Sequence, residues 1–124
     1  MQKSNLTNPQ SFVGQQFILR ATWPDKADDY VAVIGGLDAA RIVMERRSEY
    51  NLVWCWYLNG PYLPPHLAPG QGISETLDQA KLDVRAKFDR WLEWALMQPG
   101  KVAWQGAGDE LPDALGSDLL RLLE

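Results

Sequence analysis

The sequence predicts an α+β fold: an antiparallel sheet of three or four strands with one long amphipathic helix packed on one face. Three observations predict it. Leu52-Val53-Trp54-Cys55-Trp56-Tyr57-Leu58 alternates in the two-residue period of a strand. Leu77, Val84, Phe88, Trp91 and Ala95 fall along one side of a helix at 100° per residue. Between Phe17 and Arg46 lie further β-rich runs separated by turn residues.

The first strand is placed over 17–23, where Phe17, Leu19, Ala21 and Trp23 share a face before Pro24 breaks the run. The second covers 30–35, rich in β-branched residues. Gly35-Gly36 then offers the positive-φ pair that a tight hairpin turn requires. The third strand runs over 39–46, with Ile42 and Met44 on one face and Arg41, Val43 and Glu45 on the other. The fourth covers 52–58. Its two faces are both apolar, Leu52, Trp54, Trp56 and Leu58 on one and Val53, Cys55 and Tyr57 on the other, so it should be covered on both sides.

Asn59-Gly60-Pro61 ends that strand, and residues 59–75 read as a long, proline-stiffened loop. A helix is predicted over 77–98. Thr76 with Gln79 three residues on has the spacing of a capping box, and Pro99-Gly100 stops the helix. Trp54 and Trp56 are expected to face Phe88 and Trp91. A short extended piece is expected over 101–105.

These elements divide the chain into a flexible tail over 1–15, a single domain over 16–105, and an acidic, loosely ordered segment over 106–124 with a short helix beginning after Ser117. At 124 residues the chain is long enough for one core and too short for two. The six tryptophans are expected mainly to fill that core.

Several chemistries find no support. The single histidine, His66, and single cysteine, Cys55, cannot supply a zinc set without carboxylates, so no metal is expected. Cys55 sits mid-strand between tryptophans, where an apolar setting makes a thiol inert. No phosphate-cradling glycine motif is present, so no cofactor is expected. Asp89 and Glu93 lie opposite the apolar stripe of the helix, as a solvated face. No catalytic residue is assigned, and the expectation is a protein that is not an enzyme. The N-terminus carries no signal-type apolar run and no stretch is long enough to span a membrane, which with the lone cysteine points to the cytoplasm.

Two functions follow. The first is a non-catalytic protein–protein interaction module, including self-association, using the second sheet face or the acidic C-terminal segment. Its candidate residues are Val53, Tyr57, Tyr62, Trp94 and Trp104. The second is nucleic-acid binding through Arg41, Arg46 and Arg47 on the hairpin with Lys81 and Arg85 on the helix. Three strands followed by a helix resemble the second half of a double-stranded-RNA-binding domain, but Ser74-Glu75-Thr76-Leu77-Asp78 is acidic where that family carries lysines. A net charge of −4 also repels phosphate on average.

Trp54-x-Trp56-x-Leu58-Asn59-Gly60-Pro61, followed by a Pro/Gly-rich loop, Thr76-Leu77-Asp78-Gln79-Ala80-Lys81 and Phe88-x-x-Trp91, resembles a pattern in small uncharacterised proteobacterial, often rhizobial, proteins. The resemblance covers about residues 30–95. It implies the fold and a bacterial cytoplasmic origin, and carries no functional residue with it.

Overall fold

The computed structural model describes residues 5–106. The predicted C-terminal helix and most of the acidic segment lie outside the described residues. Five strands form one antiparallel meander: β2 (Ile18–Ala21), β3 (Asp29–Ile34), β4 (Leu37–Ser48), β5 (Asn51–Tyr57) and β6 (Gln71–Ser74), neighbours in that order. A separate two-stranded sheet pairs β1 (Asn5–Thr7) with β7 (Val102–Trp104). One helix, α1 (Leu77–Leu96), follows β6. The α+β class and the antiparallel pairing are as the sequence predicts, but three or four strands is an undercount.

Local chemistry explains each boundary. Gly35 and Gly36 take φ of 58° and 79°, so both carry the left-handed conformation of a two-residue hairpin turn joining Ile34 to Leu37. The register slips once beyond that turn, where Ala32 opposes Ala40 but Val33 opposes Asp38, and the extra residue Ala39 is fully buried. At the start of α1 the Thr76 hydroxyl accepts from the Gln79 amide at 3.0 Å. The reciprocal half of the capping box is absent, because the Gln79 side chain donates to Asp83 at 2.9 Å instead. Thr76→Ala should therefore cost about 1 kcal/mol in thermal or chemical unfolding.

The core lies between α1 and one face of the five-stranded sheet. Leu19, Ala32, Ile42, Trp56 and Leu58 come from the sheet, and Ala80, Val84, Phe88, Trp91 and Ala95 from the helix. Trp56 therefore shares a core with Phe88 and Trp91, as expected. Trp54 is half-buried and stacks on Tyr30 at 6.3 Å between ring centroids.

The expectation of a loose N-terminal tail fails for residues 5–12. Pro9–Phe12 form a 3-10 turn capped by the Asn8 side chain, and the turn delivers Phe12 fully buried into the core. The Phe12 ring meets Phe88, Trp91 and Trp104 at centroid distances of 5.5, 5.9 and 5.1 Å. β1 is held by β7, a pairing across most of the chain that no local pattern announces.

The proline-rich loop also holds an unpredicted strand. β6 pairs with β5, Trp56 opposite Gly72 and Cys55 opposite Ile73. Gly72 is required there: a Cβ on it would stand 2.4 Å from Cζ2 of Trp56.

Candidate functional site

Strand register divides the five-stranded sheet into two faces, because directly paired residues point the same way. One face holds Ala32, Ile42, Met44, Trp54 and Trp56 and receives α1. The other holds Ile18 and Arg20 of β2, Val31 and Val33 of β3, Arg41, Val43 and Glu45 of β4, Val53, Cys55 and Tyr57 of β5, and Gln71 and Ile73 of β6. Among the described residues no element is stacked on this second face. We call it the open face.

Its centre is roofed by its own side chains. Val53 and Cys55 are only 8% and 2% exposed, so the second cover expected for this strand comes, among the described residues, from side chains of the sheet itself. Arg47 donates to Cys55 Sγ at 3.4 Å and lies 3.9 Å from Glu45, whose other oxygen accepts from the Tyr57 hydroxyl at 3.5 Å. Burial, seconded by the Glu45 charge, pushes the Tyr57 phenol above its ordinary range. Arg47, Cys55 and Tyr57 line a cavity with Pro69, Gln71 and Ile73.

The second feature of the face is Asp29. Its side chain is only 7% exposed and lies beneath Arg41, which grips both carboxylate oxygens. Thr22 also donates to it, at 2.9 Å. Hydrogen bonding by Arg41 holds the Asp29 carboxyl below its ordinary 3.8, against the opposing effect of burial. A carboxyl lowered in the folded state stabilises the fold above its ordinary pKa, and that contribution is lost as pH falls through the lowered value. Wild-type stability should therefore drop below about pH 5, and Asp29→Asn should flatten that drop. Arg41→Ala should cost about 1–3 kcal/mol at pH 7, since it strips a buried acceptor of its main donor while removing a half-exposed arginine. Chemical denaturation across a pH series measures both.

The predicted interaction residues do not converge. Val53 and Tyr57 share the open face. Tyr62 is exposed in the loop after β5, its backbone N–H donating to the Ala103 carbonyl of β7. Trp94 is half-buried at the edge of the core. Trp104 is corrected outright: at 2% exposed and stacked on Phe12 it is a core residue with no surface to offer. Only Trp23 of the six tryptophans is exposed, at 54%, so they form no shared aromatic surface.

The predicted basic surface is also divided. Arg41 and Arg47 belong to the open face, whereas α1, with Lys81 and Arg85, packs on the opposite face. Arg46 sits at the hairpin end and donates to the Glu49 carbonyl at 2.8 Å. Lys81 pairs with Asp78, and Arg85 pairs with Asp89 while donating to the Gln15 carbonyl. The cations do not make one stripe for a phosphate backbone to follow.

Sequence reasoning missed Arg20, Val31 and Ile73 as members of the sheet face that carries Tyr57. The period-two alternation of β3 was the available signal for Val31. Nothing local marked Ile73, because β6 is short and lies in a proline-rich stretch. Among the described residues no group of three or more His, Cys, Asp or Glu side chains could hold a metal, and no helix is long and apolar enough to cross a membrane. No family model, curated protein or solved structure matches the chain.

Proposed function

We propose that the chain is a non-catalytic protein-interaction module whose binding surface is the open face of the five-stranded sheet. The observation that carries this reading is the combination of aliphatic side chains, exposed at both margins, with arginines of which two, Arg20 and Arg41, are clearly more exposed than the acids they hold. Ile18 at one edge and Ile73 at the other are 68% and 58% exposed. In the pairs Arg20–Asp38, Arg41–Asp29 and Arg47–Glu45 the arginine side chain is 59%, 47% and 47% exposed, against 31%, 7% and 43% for the acid. The surface turned to solvent therefore presents guanidinium groups among aliphatic side chains. Its best partner is a polypeptide segment that alternates aliphatic and carboxylate side chains. The protein is read as cytoplasmic and bacterial, on the resemblance given above.

Nucleic-acid binding is not adopted, because its cations lie on opposite sides of the sheet and form no single stripe. A photo-crosslinking residue in place of Ile18 or Ile73, expressed in cells, should give polypeptide adducts that the same residue in place of Asp89 on the helix does not. Equal adduct yields at all three positions, or none at the sheet positions, would refute the reading.

A further inference from the structure

We infer that the chain carries its own occupant for the open face: residues 107–124, bound in cis. This rests on the reading of that face as a binding surface. Three observations meet here. The first is where the described chain leads. Gln105 and Gly106 both donate backbone N–H groups to the Gly60 carbonyl, at 2.6 and 3.2 Å. That anchor sets them in the wall of a cavity of about 400 Å³ whose other lining includes Val31, Asp38 and Arg41 of the open face. The polypeptide beyond Gly106 thus starts at the rim of this face and not beside the helix.

The second is composition. Residues 107–124 contain six leucines and five acids, Asp109, Glu110, Asp113, Asp118 and Glu124, against one base, Arg121. Their formal charge of −4 equals that of the whole chain, so the remaining residues balance. Leucines interleaved with carboxylates suit valines and isoleucines interleaved with Arg20 and Arg41, whose side chains are more exposed than the acids they hold. Arg20 and Arg47 hold their present acids at 3.5 and 3.9 Å, contacts long enough to leave donors for another carboxylate.

The third is reach. Five strands spaced about 4.8 Å apart span about 20 Å. Eighteen residues extended at about 3.3 Å each exceed that several-fold. A tethered segment acts at millimolar effective concentration, so even a weak contact is populated. A partner of the same chemistry must compete with it, which makes the segment a built-in threshold for binding.

The test uses the purified full-length chain. With p-benzoylphenylalanine in place of Ile73, irradiation should give an intrachain adduct to residues 107–124, mapped by mass spectrometry. The adduct should be lost when Leu119, Leu122 and Leu123 are all changed to serine. In the otherwise native chain the same three changes should shift the methyl resonances of Val31, Val43 and Ile73. No adduct to 107–124, or unmoved methyl resonances, overturns the inference. So does an adduct formed only between copies, read by mixing isotope-labelled and unlabelled chains. Each of these leaves the binding-surface reading to stand or fall on adducts to other polypeptides in cells.

Discussion

Phe12→Ala should destabilise the protein by about 3–5 kcal/mol, as large as any single substitution in the helix. Phe12 is fully buried, stacks on Trp104, and meets Phe88 and Trp91 edge-on. Removing the ring leaves a cavity walled by three large aromatics, Phe88 and Trp91 on α1 and Trp104 on β7. Side chains so constrained relax little, which is the condition under which truncation costs most. The loss is a large share of the stability expected of a domain this size. The midpoint of a urea or guanidinium transition measures it. A loss below about 1 kcal/mol would mean that residues 5–12 do not pack on the core.

Phe88→Ala and Trp56→Ala should each cost about 3–5 kcal/mol by the same mechanism. Phe88 is fully buried and its ring contacts Phe12, Phe17 and Trp91, at centroid distances of 5.5, 5.2 and 5.3 Å. Trp56 is 8% exposed, opposite Ile42 on β4 and in close approach to Gly72 on β6. Because Phe12 and Phe88 touch, the double variant Phe12→Ala/Phe88→Ala should lose less than the sum of the two single losses. Strict additivity would place the two rings in independent environments, against the geometry. Equilibrium denaturation of the three variants decides the matter.

The two predictions divide what was legible from what was not. Phe88 is marked by its place on a 3.6-residue stripe, and Trp56 by strand alternation; both signals are local and periodic. Phe12 has neither. It stands alone in a Gln- and Ser-rich stretch, and its burial depends on β1 pairing with β7 at the far end of the described chain. The same holds for Trp104, whose exposure is decided by Phe12 and Trp91 and not by its neighbours in sequence. Asp29 reads as a turn residue beside Asp28. Only the register of β3 against β4 brings it under Arg41.

The candidate site followed the same division. Alternation placed Val53, Cys55 and Tyr57 on one face, and placed Arg41, Val43 and Glu45 together on one face of the preceding strand. It could not say that these six would lie side by side. Nor could it say that Arg47, Glu45 and Tyr57 would close over the thiol, because that depends on cross-strand register and on the bulge beyond Arg46.

The sequence by itself determined the class of the fold, the Gly35-Gly36 hairpin, the Thr76 cap, the helix stripe and the two-faced strand around Trp54 and Trp56. All of these are set by the torsional preferences and period of a few adjacent residues. Tertiary structure alone decided that the N-terminal stretch completes the core, that Gln71–Ser74 adds a strand, and that Arg41 lies over Asp29 on a sheet face where, among the described residues, no element is stacked. Those outcomes depend on contacts between distant segments, whose free energy is gained only when both partners are already in place.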